Sequence, residues 1–401
     1  MRNPLAQHPW WRQLVIVAVV LPLMIVLAVL AFAWPNARLA PRSLPVGIVG
    51  TSPVSQQAVA GLSRAEPGGF TFSRYADPAA ARTAIRDRDV YGAFQITSGR
   101  VTVFEASAAS PTVAQLLTGT GQQLAARAAV ARRTPTPRIS VVDVVPISRS
   151  DPRGLVLSSA LLPLTICSII MAAAVALLLR FRPAWRQILS LLVVSATAGL
   201  GAILITQGFL GALPQDHGGS WAALALTVLA VSAPAAGLIE LIGPAGLGLG
   251  AALMIFIGNP FSGATSAPQL LPAAVSRIGQ WLPPGAGASL LRSTAYFGGR
   301  GAGGPLTVLI VWVVLGLAAI VAGHHSRFGV TARRRGRPGT GQPANAPSGR
   351  PRTPGLTWNS APAWGSASSG RFSREVVMYR SARSGPPNVQ AVTWLGASST
   401  T

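Results

Sequence analysis

Glu240 is the residue best placed for chemistry inside a membrane. It is the only acidic residue within the apolar runs of residues 154–323. A charge at the centre of a membrane helix costs about 2.5–3.5 kcal/mol on insertion scales, and less near a helix end. Such a carboxylate could bind a cation, relay a proton or couple to a partner protein. It could also be a helix-end carboxylate that pairs with the arginines of residues 180–186, and the sequence leaves both interpretations open.

Other reactive side chains are sparse. The pairs Asp216-His217 and His324-His325 lack a third or fourth ligand at suitable spacing, so we predict no metal site. The single cysteine, Cys167, lies in an apolar run, and no intrachain disulfide can form. The sequence offers no Ser/His/Asp arrangement and no pair of carboxylates in apolar surroundings. We therefore expect a protein that is not an enzyme and carries no cofactor.

The basic residues are all arginine. The formal net charge is +23, and the sequence contains no lysine. A P-loop needs its lysine to contact the nucleotide phosphates, so this chain is not expected to hydrolyse ATP by that machinery. If ATP drives the protein, a separate ATPase subunit must hydrolyse it.

Six apolar runs predict the architecture. A bilayer core requires about 20 apolar residues per helical crossing. The first run, residues 14–34, is longer than an ordinary signal-peptide core, so we interpret it as an uncleaved anchor. The other five are predicted near residues 155–179, 188–210, 221–242, 244–258 and 305–323. The fold class is an α-helical polytopic membrane protein with six transmembrane helices, here in a bacterial plasma membrane.

The arginines predict one orientation in that membrane. Loops with an excess of arginine stay in the cytoplasm. Residues 1–13, the loop with Arg180, Arg182 and Arg186, and residues 324–401 are therefore expected inside. Residues 35–153 and the loop 260–304 are expected outside, although Arg277, Arg292 and Arg300 lie in that second segment.

Residues 35–153 have the pattern of an extracytoplasmic α/β domain between the first two spans. Short β-like runs alternate with helical ones in the order βαβαββαβ. The helix after Asp77-Pro78 has an acidic N-cap followed by proline, and Ser98-Gly99 predicts a tight turn between two strands. We interpret the charged residues at the end of that helix as a solvated face. They are Arg82, Arg86, Asp87, Arg88 and Asp89.

The loop 260–304 is predicted to lie at the outer interface. Asn259-Pro260 ends the fifth helix, and residues 269–282 form an interfacial helix with Arg277 and Trp281 at headgroup depth. Pro283-Pro284 then breaks this helix, and residues 289–297 form a second short helix. The alternative is a lipid-facing connector.

Small residues predict where helices pack closely. Gly246, Gly248 and Gly250 form such a stripe in the fifth span, and Gly199 and Gly201 do so in the third. The segment from about Ser326 is rich in arginine, proline, glycine and serine, and is predicted to be a disordered basic tail. Its cluster Arg333, Arg334 and Arg335 is expected to contact anionic lipid in preference to nucleic acid.

Four features together resemble a known family. They are the single anchor before a large outer domain, the segment 76–96 with its Tyr-Gly pair, the re-entry DPRGLVLSSALLPL at 151–164, and the Gly- and Pro-rich stretch 258–299. Residues 10–325 are similar to permeases of type-2 ABC exporters, in the phage-infection-protein branch.

The resemblance implies a function and a set of residues. It implies a dimeric permease subunit, homodimeric or heterodimeric, that moves a hydrophobic or amphipathic substrate outward when a separate ATPase binds its cytoplasmic face. Glu240, Asn259, Pro260 and Trp281 would then line the substrate path, and Arg180, Arg182 and Arg186 would contact the ATPase. The alternative function is a non-transporting envelope protein whose outer domain is a receptor or an assembly platform.

Overall fold

The computed structural model describes residues 10–97, 100–132, 138–213 and 216–335. Within these residues, six helices are long and apolar enough to cross a membrane, as the sequence predicts. They are Val17–Ala37, Leu155–Leu178, Ala184–Phe209, His217–Ile242, Pro244–Phe261 and Gly303–Ser326. The first of them, part of helix α1 (Trp10–Ala37), is the only one whose apolar window has no buried residue in the described chain.

A five-stranded mixed sheet forms the domain between the first two apolar helices. Its strands are β1 (Leu44–Val49), β2 (Phe70–Tyr75), β3 (Gly92–Ile96), β4 (Arg100–Glu105) and β5 (Arg138–Asp143), and its helices are α2 (Pro53–Ala65), α3 (Pro78–Arg86) and α4 (Pro111–Arg132). The sheet order is β2-β1-β3-β4-β5, with one antiparallel pair, β3–β4. The predicted order βαβαββαβ is thus confirmed, while the Ser98-Gly99 turn lies outside the described residues.

Local sequence signals explain why the domain helices begin where they do. The side chain of Ser52 accepts a hydrogen bond from the Ser55 N–H, and that of Asp77 accepts one from the Ala80 N–H at 2.8 Å. Proline follows each cap at the first helical position, where its missing N–H is not needed. Buried residues of alternate strand positions, such as Leu44, Val46, Phe94 and Val103, then form the core between sheet and helices.

The second block of the chain is helical. It contains α5 (Leu155–Leu178), α6 (Ala184–Ile203), α7 (His217–Ile242), α8 (Pro244–Ala251), α9 (Asn259–Phe261), α10 (Ala273–Trp281), α11 (Pro283–Phe297) and α12 (Gly303–Arg335). Helix α7 lies at the centre, since it contacts α5, α6, α8, α11 and α12. Two π-helical segments, Leu204–Phe209 and Ala252–Gly258, extend α6 and join α8 to α9.

Small residues let neighbouring helices approach α7 at backbone distance. A Cβ atom on Gly316 of α12 would lie 2.4 Å from the Pro234 nitrogen of α7, and one on Gly199 of α6 would lie 2.8 Å from the Ala225 nitrogen. Three of the five predicted packing glycines, Gly199, Gly246 and Gly250, thus meet α7, whereas Gly201 and Gly248 meet no atom within 4 Å.

Three predicted helix ends differ from the structure. The fifth span continues past Asn259-Pro260 to Phe261, because the π turn before Pro260 accommodates a residue that cannot donate a backbone hydrogen bond. Helix α10 ends at Trp281, just before Pro283-Pro284, as predicted, but the next helix, α11, begins at Pro283 and not at residue 289, since proline is well tolerated in a first helical turn. Helix α12 extends to Arg335, so the first part of the predicted tail is helical.

The α/β domain is docked directly on the helical block. The N–H of Ala40 donates to the Leu270 carbonyl at 3.0 Å, and the N–H of Arg42 donates to the Gln269 carbonyl at 3.0 Å. Ala267 and Leu270 are buried within the domain's own core cluster. Part of the segment predicted as an interfacial loop thus packs against the α/β domain, while Trp281 at the end of α10 stays exposed.

The α7–α12 contact predicts a sharp difference between two glycine substitutions. Gly316→Ala should lower the free energy of unfolding by about 1–3 kcal/mol, because the added methyl overlaps backbone atoms of α7 that cannot move independently. Gly248→Ala, which meets no atom within 4 Å, should be neutral or stabilising because alanine has the higher helix propensity. Thermal unfolding in detergent measures both. Equal behaviour of the two variants would show that α7 and α12 do not pack this closely.

Candidate functional site

A buried arginine and a half-buried arginine meet where the domain docks on the helical block. Arg88 follows α3, and Arg292 lies in α11, whose residues are all buried. Arg88 donates from Nη1 to the Ser289 carbonyl at 3.2 Å and to the Ser293 hydroxyl, and its guanidinium lies 5.2 Å from the centre of the Phe297 ring. Arg292 donates from Nη2 to the Ala264 carbonyl at 3.1 Å. We call these two residues the junction arginines.

The backbone conformation of Arg88 is unfavourable for a residue other than glycine, which indicates that its side chain has a role there. Its φ angle is 66°, in the left-handed region that costs a residue with a Cβ atom roughly 1–2 kcal/mol. Glycine would adopt this conformation without that cost, yet the position carries a long cationic side chain that reaches α11. The expectation that Arg88 belongs to a solvated helix face is therefore wrong, because the chain turns into the junction immediately after α3 ends.

The surroundings of the junction arginines are polar but not acidic. The Tyr91 hydroxyl donates to Gln269 Oε1 at 2.6 Å. Ser289 donates to Gln280 Oε1 at 2.8 Å. Within the described chain, neither junction arginine makes an ion pair; the ion pair nearby joins Arg300 Nε to Asp87 Oδ1 at 3.2 Å on the exposed side. Two cations are thus held near each other by neutral acceptors.

Burial perturbs the ionisation of these groups. Burial lowers the pKa of Arg292 to about 10, with the Tyr91 hydroxyl opposing the shift and the charge of Arg88 adding to it. Burial likewise lowers the pKa of Arg88 and raises that of the Tyr91 hydroxyl. Both guanidinium groups stay charged at neutral pH, so the junction keeps two positive charges that an incoming anion would experience at low dielectric.

A second polar site lies at the opposite end of the helical block. Helix α5 has 24 residues, so about 36 Å separates its ends. Here Glu240 of α7 is only 2% exposed and accepts a hydrogen bond from Gln187 Nε2 at 3.3 Å. Gln187 also donates to the Leu179 carbonyl at 3.1 Å. Glu240 and Arg180 line one mainly apolar cavity of about 170 Å³.

The turn between α5 and α6 projects beside that cavity. Arg180, Arg182 and Arg186 are all exposed, as are Phe181 at 89% and Trp185 at 58%. The Arg186 guanidinium lies 5.2 Å from the centre of the Trp185 ring. We call residues 180–186 the aromatic–basic turn. Large aromatic side chains are rarely left this exposed together unless lipid or a partner covers them.

The predicted substrate-path residues do not form one cluster. Glu240 lies at the far end, whereas Asn259 and Pro260 lie in α9 near the docked domain, because α8 starts at the Glu240 end and α9 follows it across the block. The Asn259 side chain donates to the Met254 carbonyl at 3.2 Å. Trp281 ends α10 and is 69% exposed, and Arg277 on the same helix is exposed. Arg333, Arg334 and Arg335 form the last turn of α12.

The metal candidates of the sequence have other contacts. Asp216 caps α7 by accepting a hydrogen bond from the Gly219 N–H at 2.9 Å. His325 is hydrogen-bonded through Nδ1 to the Val321 carbonyl at 2.8 Å. No group of three His, Cys, Asp or Glu side chains close enough to hold a metal ion occurs in the part of the chain that the structure describes.

Sequence reasoning missed the junction arginines, although a signal for Arg292 was present. Arg292 lies in a stretch of proline, glycine, alanine, serine and leucine, and it is an arginine in a segment otherwise expected outside the membrane. A charged residue in a stretch of small and apolar residues indicates a site inside the protein more strongly than a position on its exposed surface. No comparable signal marked Arg88, whose burial depends on how the domain docks.

The fold and these sites describe a multi-pass helical membrane block that holds one α/β domain. Comparison with protein-family models, curated proteins and solved structures finds no match to the chain.

Two substitutions of Arg292 distinguish the effect of its charge on stability from the effect of its volume. Arg292→Met should leave the free energy of unfolding within about 1 kcal/mol of the wild type, because it removes a buried cation and its repulsion with Arg88 while filling similar space. Arg292→Ala should lower it by about 2–4 kcal/mol through the cavity left beside α11. Thermal and denaturant unfolding test both. If methionine destabilised the protein as much as alanine, the charge would be structural.

Proposed function

We propose that the chain is a permease-like subunit of a type-2 ABC exporter. It would move a hydrophobic or amphipathic substrate outward, with ATP hydrolysed by a separate subunit. The support is an apolar anchor helix, a docked α/β domain and five further apolar helices in this order along the chain. The absence of lysine from the sequence removes P-loop hydrolysis from this chain and makes a separate ATPase necessary.

The observation that carries the proposal is the aromatic–basic turn. In the orientation favoured by the arginines, this turn faces the cytoplasm and the α/β domain faces outward. Phe181 and Trp185 with three arginines have the composition of a binding hot spot, since tryptophan and arginine dominate the energetics of protein interfaces. An ATPase subunit with an acidic, apolar groove is the partner that this surface fits.

The aromatic–basic turn lies next to polar groups inside the helical block. Arg180 belongs to the turn and also lines the cavity of Glu240, and Gln187 at the start of α6 hydrogen-bonds both Glu240 and the last turn of α5. A displacement of the turn by a partner would therefore change the contacts of the buried carboxylate on α7. The central position of α7 would pass that change to α11 and α12.

A second candidate function is an envelope platform, in which the outer domain binds a partner and nothing is transported. The rigid docking of the domain through α11 would serve such a role equally well. The two functions differ in what the aromatic–basic turn binds.

Co-purification tests the proposal. A nucleotide-binding protein should be recovered with the full-length chain from native membranes, and Phe181→Ala combined with Arg182→Glu should lower its recovery about tenfold or more. Phe209→Ala is the matched control, since Phe209 is 85% exposed at the other end of α6 and should leave recovery unchanged. If the wild type retained no nucleotide-binding protein, the exporter proposal would be wrong. If the double variant retained it fully, the turn would not be the coupling surface.

A further inference from the structure

An open cleft lies beside the junction, on its exposed side. It has a volume of about 610 Å³, which is within the usual range of roughly 300–1,000 Å³ for small-molecule sites. One wall is the segment after β5, residues 144–149, and the other is the end of α11 with the turn that leads to α12. Arg86 closes the third side. We call this space the arginine cleft.

The charge of the arginine cleft is positive. Arg86, Arg149 and Arg300 all line it. Arg300 is paired with Asp87, whereas Arg86 and Arg149 make no ion pair with any described residue. Two further carboxylates flank the wall of residues 144–149: Asp143 accepts hydrogen bonds from the N–H and hydroxyl of Ser107, and Asp151 accepts them from the Leu155 and Val156 N–H groups at the start of α5. Two guanidinium groups thus remain for an anion, and guanidinium binds phosphate through two parallel hydrogen bonds.

The same cleft has an apolar wall. Val144, Val145, Ile147 and Phe297 line it together with the arginines. The first three are half-buried, and they pack against a buried cluster that includes Phe297. A small inorganic anion would leave this wall unused, whereas an amphiphile would cover it with the glycerol and the first methylene groups of its chains.

The position of the cleft explains how an amphiphile would reach it. Both walls lead directly into helices long and apolar enough to cross a membrane: residues 144–149 precede α5, and Arg300 precedes α12. The cleft therefore opens at the level where the two helices enter the bilayer, which is headgroup depth. Leu306 and Ile310, in the first turns of α12, are exposed and offer an apolar surface for acyl chains.

We propose that the arginine cleft binds the phosphate headgroup of an anionic membrane amphiphile, with Arg86 and Arg149 on the phosphate and the hydrocarbon along the start of α12. The inference needs only that α5 and α12 lie in a bilayer, so it holds independently of the exporter function. If the chain is an exporter, the same site assigns its substrate to the anionic amphiphiles.

Native mass spectrometry of the full-length protein in neutral detergent tests the cleft. Phosphatidylglycerol and phosphatidylcholine, supplied at equal concentration, are the probes. Phosphatidylglycerol should be retained about tenfold or more over phosphatidylcholine, and Arg86→Gln combined with Arg149→Gln should abolish that preference. Arg149→Gln alone should give an intermediate loss. Both arginines are exposed, so neither is needed for folding, and a thermal melt checks this.

Matched controls make the result decisive. Arg64→Gln combined with Arg74→Gln removes the same charge from exposed positions of the same domain that do not line the cleft, and it should leave the lipid preference intact. Equal retention of the two lipids by the wild type, or equal loss in both double variants, would overturn the proposal. Displacement of phosphatidylglycerol by an equimolar amount of inorganic phosphate would show a free-anion site and would overturn the amphiphile assignment. Phosphatidylglycerol retained against that phosphate supports the lipid source.

Discussion

Helix α7 is packed closely against its neighbours, and this packing determines how the helical block is arranged. Inside a bilayer there is little hydrophobic force between helices, so they associate through close packing of small residues. Gly199, Gly287 and Gly316 each bring another helix to a distance at which an added Cβ would overlap α7. Helices α6, α11 and α12 are therefore fixed to one central helix from three sides.

This packing also determines where the α/β domain sits. Helix α11 is too short to cross a bilayer, and it is completely buried between α7, α12 and the domain. Once α11 is held by α7, its Ser289 and Ser293 present acceptors to Arg88 at one place only. The domain adds its own backbone hydrogen bonds to Gln269 and Leu270. The domain is thus an extension of the helical block through α11, and it is not suspended on linkers.

The sequence predicted the elements whose signals are local. The length of the hydrophobic runs identified the six apolar helices. Alternating short runs identified the strands and helices of the domain, and the Asp77 cap identified the start of α3. Features that depend on tertiary structure were missed. Pro283-Pro284 predicted the end of α10, but no local signal showed that α11 begins at the same two prolines; that start depends on the burial of α11. The pairing of Arg88 with α11 spans about two hundred residues, which no local pattern encodes.

The two polar sites, one at each end of the helical block, differ in charge. At the docked end, Arg292 is buried and Arg88 is half-buried among neutral acceptors, so the local potential is positive. At the far end, the Glu240 carboxylate is buried close to Arg180 of the exposed aromatic–basic turn. Helix α5 connects these ends: the N–H of its first residue, Leu155, donates to Asp151, and the carbonyl of Leu179, just past its last residue, accepts a hydrogen bond from Gln187. Helix α5 also packs on α7, so one pair of packed helices joins the two sites. The proposed exporter would need such a connection, since its outer site would have to respond to the binding of an ATPase at the opposite surface.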